Sequence, residues 1–150
     1  MKTAISLSVI VFLLSLFSCR GFTDRVVLWK CDNSTLFLNR VDTCIKVPNS
    51  LSQYNLYLSI RHHDDFMING IRFAVSVSSV DTMLCDTILL PLSDSLDCWD
   101  GIPYIGAYVK KVSVDMQLPS VDSAIFSITP LMSNAVEGVD WLALELKKNE

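Results

Sequence analysis

The chain has 150 residues, 51% of them hydrophobic, and its 12 basic and 16 acidic residues leave a formal net charge of −4. An acidic balance without a basic run excludes bulk attraction to nucleic acid. The length is that of one ordinary domain, and no internal repeat or low-complexity linker divides it.

Met1-Lys2-Thr3 is followed by Ala4 to Phe17 without a single charge, and then by Ser18-Cys19-Arg20-Gly21. A positive start, a short apolar stretch and small residues beyond it read as a secretory signal peptide. The stretch is too short for a helical span, which needs about 20 apolar residues. The expectation is a signal peptide over residues 1–21, a secreted domain over 22–150, and no stable membrane insertion. Lys2 and Arg20 leave with the peptide, so ten basic residues face sixteen acidic ones and the mature charge is −6.

Val26 to Lys30 is a short β-prone run, followed by Leu36-Phe37-Leu38 and by Ile45-Lys46-Val47, which stops at Pro48. In Leu56-Tyr57-Leu58-Ser59-Ile60, Leu56, Leu58 and Ile60 share a face, and Arg61-His62-His63-Asp64-Asp65 reads as a polar turn. Asn69-Gly70 is a strong turn signal, and Ile71, Phe73, Val75 and Val77 then alternate as a strand with one buried face does. Leu84 to Leu92 is apolar and cut by Pro91, and Trp99 to Pro103 is a turn. Tyr104 to Met116 carries a long strand with Val112, Val114 and Met116 on one face, broken at Leu118-Pro119. Ala124 to Ile128, with Phe126 at its centre, stops at Pro130, and Trp141 to Leu146 alternates to the end. With no capped run at helical spacing, the pattern is that of an all-β fold, a two-sheet immunoglobulin-like β-sandwich.

Four cysteines remain after the signal peptide takes Cys19: Cys31, Cys44, Cys85 and Cys98. An even count in a secreted chain implies disulfides, and of three connectivities the sequence-local one, Cys31 with Cys44 and Cys85 with Cys98, is expected. Asn33-Ser34-Thr35 is an N-glycosylation acceptor, which places Asn33 on a surface loop. No metal site is expected, because no cysteine pair has ligand spacing and the only histidines are His62 and His63. The same two histidines invite a catalytic reading beside Asp64 and Asp65, as does Asp97 with Asp100. Without a nucleophile motif or a phosphate-cradling loop, the bland reading is a solvated loop, and neither an enzyme nor a cofactor is expected. The apolar residues suit either a tightly filled core or an interior held open for an apolar ligand.

Trp29-Lys30-Cys31-Asp32-Asn33-Ser34, Ile68-Asn69-Gly70 leading into Leu84-Cys85, and Cys98 ahead of a strand that ends Leu118-Pro119 together resemble the lipid-recognition (ML domain) family named after myeloid differentiation factor 2, closest to its immune co-receptor branch. The resemblance implies a β-sandwich with an apolar cavity between its sheets. It further implies a secreted co-receptor of innate immunity that holds acyl chains of lipopolysaccharide or a related lipid and associates with the leucine-rich-repeat ectodomain of a Toll-like receptor. A soluble lipid or sterol carrier without a receptor is the alternative. The lipid would lie against Leu56, Leu58, Phe73, Val75, Val77, Val112, Val114, Met116, Leu118, Phe126 and Ile128, on a phase assigned from alternation. The chain departs from the family at Ala143, where a cysteine tying the last strand to an early segment would stand.

Overall fold

A computed structural model describes residues 24–36, 38–95 and 98–149. The expected signal peptide, Phe37 and Asp97 lie outside them. The strands in chain order are β1 (Arg25–Lys30), β2 (Thr35–Leu36), β3 (Val41–Lys46), β4 (Tyr54–His63), β5 (Gly70–Ser78), β6 (Met83–Pro91), β7 (Ser93–Ser95), β8 (Cys98–Trp99), β9 (Ile102–Pro103), β10 (Ala107–Val114), β11 (Ser123–Pro130), β12 (Val136–Glu137) and β13 (Val139–Lys148). One sheet has the order β1-β13-β4-β10-β9 and the other β3-β11-β5-β6, with two small ribbons, β12-β2 and β7-β8. Every pairing is antiparallel.

The all-β, two-sheet sandwich is the one expected. Numbering its eight main strands one to eight along the chain gives the orders 1-8-3-6 and 2-7-4-5. That is a jelly-roll connection rather than an immunoglobulin one, with successive main strands passing from sheet to sheet except at the β5–β6 hairpin. Alternation supplies the core: Phe73, Val75 and Val77 of β5 meet Phe126 and Ile128 of β11, and Leu56, Leu58 and Ile60 of β4 meet Leu142, Leu144 and Leu146 of β13.

Asn69-Gly70 makes no hairpin, since β4 and β5 belong to different sheets. The Asn69 carbonyl instead accepts the Leu92 and Ser93 N–H groups at 2.8 and 3.2 Å. A Cβ on Gly70 would stand 3.1 Å from the Leu90 carbonyl oxygen, so glycine serves close approach there.

Neither expected disulfide forms, and all four sulfurs are free thiols. Cys31 follows β1 in one sheet and Cys44 lies in β3 of the other. Stacked sheets stand about 10 Å apart, beyond the roughly 7 Å Cα reach of a disulfide. Cys85 pairs with Ser76 inside β6, whereas Cys98 pairs with Ser95 past the end of that strand.

Candidate functional site

The jelly-roll connection gathers at one end of the sandwich the segments after β1, β4 and β11. They enclose an open cleft of about 1010 Å³. Asn33, Ser34 and Thr35 form one wall, His63 and Asp65 to Ile68 the second, and Met132 to Gly138 the third. Asn33 and Ser34 take the left-handed conformation, φ 52° and 51°, which turns this short segment toward the cleft rim. Gly138 at φ +88° brings its N–H to the Ser34 carbonyl and its own carbonyl to the His63 N–H, each at 2.8 Å. A Cβ there would meet Phe66 at 3.1 Å, so a side chain would be strained on two grounds.

Asp140 ties the walls together from behind. Its Oδ1 accepts from Ser34 Oγ at 2.7 Å and from His63 Nε2 at 2.9 Å, and Arg61 stands 3.5 Å from Oδ2. Burial pushes the Asp140 carboxyl upward, but the hydrogen bonds from Ser34 and His63 and the charges of His63 and Arg61 outweigh it and hold the group below its ordinary value. This network is no catalytic triad. The carboxylate sits between serine and histidine, so the imidazole is not on the hydroxyl it would have to deprotonate, and a stabilised carboxylate is a weak base.

The expected polar turn at residues 61–65 is corrected, because β4 continues through His63. His62 is fully buried, with ring centroids of Trp99, Phe66 and Tyr108 at 4.7, 5.1 and 5.9 Å. Its Nδ1–H donates to the His63 carbonyl at 2.8 Å, which leaves Nε2 buried without a partner. Burial therefore pushes the His62 imidazole below its ordinary value of 6.5. Trp99 is fixed by donating to the Asp64 carbonyl at 2.8 Å, so the aromatic packing braces the second wall of the cleft. Asp100 pairs with Lys110, and Asp97, its expected companion, lies outside the described residues.

Asn33 is exposed on the cleft rim, as a surface loop residue should be. Ser34, His63, Asp65, Met67, Asn134, Glu137 and Asp140 were not legible as a group. They come from three distant segments that only the strand order brings together. The one local cue was Gly138 just before the last alternating run, where a strand is entered through a left-handed residue.

The residues expected to line a lipid cavity do converge between the sheets, but they fill the space themselves. Leu58, Phe73, Val75, Val77, Phe126 and Ile128 are 0% exposed, Leu56, Val114 and Leu118 are buried, and Val112 and Met116 pack half-buried against them. None of them lines the cleft. None lines a second, smaller cavity of about 160 Å³ beside Trp29 and Leu142 either.

No protein-family model and no curated protein matches the chain. Solved structures similar to it include a CBM35 module in complex with a glucuronic acid containing disaccharide, 13% identical with a TM-score of 0.41 over 82% of this chain and 78% of that one. Another is a CBM36 domain of a multidomain xylanase from the hindgut metagenome of Trinervitermes trinervoides, at 7%, 0.42, 85% and 98%. A third is a CBM61 in complex with β-1,4-galactotriose, at 10%, 0.39, 85% and 90%. Identities and scores of this size assign neither family nor ligand. The expected lipid co-receptor with its lipopolysaccharide ligand and Toll-like receptor partner is overturned, and the lipid carrier with it: side chains fill the space between the sheets that the acyl chains were to take.

Proposed function

We propose that this chain is a secreted, non-catalytic binding module that takes a hydroxyl-rich ligand, a short saccharide, into the cleft at the loop end of the sandwich. The observation that carries the reading is the lining of that cleft. Hydroxyls of Ser34, Thr35 and Ser133, amides of Asn33 and Asn134, and the carboxylates of Asp65 and Glu137 surround the apolar side chains of Met67, Ile68 and Met132. A saccharide has the matching anatomy, with hydroxyl edges that both donate and accept and C–H faces that prefer apolar contact. Acyl chains would leave the polar walls unpaired, at about 1–3 kcal/mol for each buried group. Phosphorylated ligands would meet Asp65 and Glu137 as like charges. The apolar leader and the Asn33-Ser34-Thr35 acceptor support a secreted location, and a glycan on exposed Asn33 would stand at the mouth of the cleft.

Titration calorimetry against a panel of neutral and acidic oligosaccharides tests the reading. Saturable binding of a neutral saccharide, weakened about 2- to 10-fold by Asn134→Ala, is the expected result, since one hydrogen bond is worth about 0.5–1.5 kcal/mol. Absence of binding across the panel, or binding indifferent to Asn134→Ala and Glu137→Ala alike, would overturn it.

A further inference from the structure

Among the described residues, β6 is an edge strand of its four-stranded sheet, with no strand beyond it. The Leu92 N–H reaches Asn69 and the Thr82 carbonyl accepts from Ser79, so the even-numbered residues turn their main-chain groups toward β5. Met83, Cys85, Thr87 and Leu89 therefore send theirs sideways, off the sheet. Pro91 falls in this second phase, where its missing N–H costs no ladder bond. The Thr87 N–H takes the Asp86 carboxylate as acceptor at 2.7 Å.

Natural sheets guard free edges with charges, bulges or covering loops. The other edge of this sheet, β3, carries Asp42 and Lys46, with Arg40 just before it. β6 has Asp86 alone, while Met83 is 70% and Leu89 57% exposed. Cys85, also exposed, is a free thiol in the same outward phase.

We infer that β6 is the surface on which a second copy of this chain adds, strand against antiparallel strand, about a twofold axis through Cys85, and that a Cys85–Cys85 disulfide locks the pair. A twofold contact demands a self-complementary strand. An axis through Cys85 sets each thiol opposite its twin, Met83 opposite Thr87, and Asp86 opposite Leu84, so the only carboxylate of the strand never faces itself. With its main-chain groups facing the partner, Cys85 would form a hydrogen-bonded pair with its twin, about 5.5 Å apart at Cα, inside the roughly 4.4–6.8 Å window of a disulfide. The covalent step is thiol–disulfide exchange with a disulfide oxidant such as oxidised glutathione. Two Cys85 thiols give up two protons and two electrons, one S–S bond forms between them, and the oxidant leaves as two thiols.

The test is the mass of the secreted full chain by light scattering and on a non-reducing gel, with oxidised glutathione supplied. The expected result is twice the chain mass, with the covalent band lost in Cys85→Ser and kept in Cys44→Ser. Thr87→Pro should return the protein to single-chain mass at an unchanged unfolding midpoint, because the one bond it removes is the local one to Asp86. Thr87→Lys, which keeps the N–H and adds a guarding charge, should do the same if the proline variant folds poorly. A single-chain mass for the unaltered protein at every concentration, a cross-link through Cys44 or Cys98 with Cys85 free, or a dimer indifferent to both Thr87 variants would each overturn the inference.

Discussion

Phe126→Ala separates a filled interior from an open one. Phe126 is 0% exposed on β11, with Val77 of β5 on one side and Thr43 of β3 on the other, and it shares the core with Phe73 and Ile128. Truncating a ring held on all sides removes its transfer free energy and leaves a hole that its strand-bound neighbours cannot close. The expected loss is about 3–5 kcal/mol, a large share of the roughly 5–15 kcal/mol that a domain has in total. Ile128→Val, one methylene smaller in the same layer, should cost about 0.5–1.5 kcal/mol. Urea unfolding followed by tryptophan emission measures both, and at an m of about 1–3 kcal/mol per molar the phenylalanine variant should shift the midpoint by on the order of 2 M. A loss below about 1 kcal/mol for Phe126→Ala at unchanged m would mean the ring already bordered empty space, and the filled-core account would fall.

Buried His62 is held below its ordinary 6.5, so the unfolded chain takes up a proton that the folded chain refuses. Its contribution is fully present above 6.5 and is lost as pH falls from there toward the folded value. Calorimetric melts at pH 7.5 and 5.5 should show this acid loss and show it reduced in His62→Phe. Asp140, held below the ordinary carboxylate value of 3.8, has the same sign lower down, its contribution being present above 3.8 and lost as pH falls through the folded value. At neutral pH, Asp140→Asn should loosen the bonds from Ser34 and His63, raising amide exchange at Ser34 and Gly138 while leaving β5 and β11 protected. Gly138→Ala forces a side chain into φ +88° against Phe66, and should cost about 1–2 kcal/mol in urea melts. A cost near zero would show that the third wall yields freely.

The sandwich was legible because alternation is a local signal. Ile71 to Val77 fixed β5 to within a residue at each end, and Leu56 to Ile60 marked the middle of β4. Strand order was not legible, because β13 pairs with both β1 and β4 through contacts far apart in sequence, the nearest being Val139 with His62, 77 residues apart. The histidine pair misled for a related reason: His62 alternates inward at the end of a strand, yet its polarity read as a loop. Pro91 and Pro130 read as strand stops, and each is the last residue of its strand. The lipid reading failed because alternating apolar residues look the same whether they line a cavity or fill one. Cleft residues drawn from three loops have no common sequence period, so no local pattern could have joined Ser34 to Asp140.

The most direct test of the account is residue-resolved amide NMR of the isotopically labelled protein, titrated in parallel with the best saccharide of the panel and with a dispersed acyl lipid. The account predicts saturable shifts for the saccharide at Asn33 to Thr35, Asp65 to Ile68 and Met132 to Gly138, and none for the lipid between the sheets. Shifts along Phe73 to Val77 and Phe126 to Ile128 on adding lipid, with the cleft silent to saccharide, would contradict it.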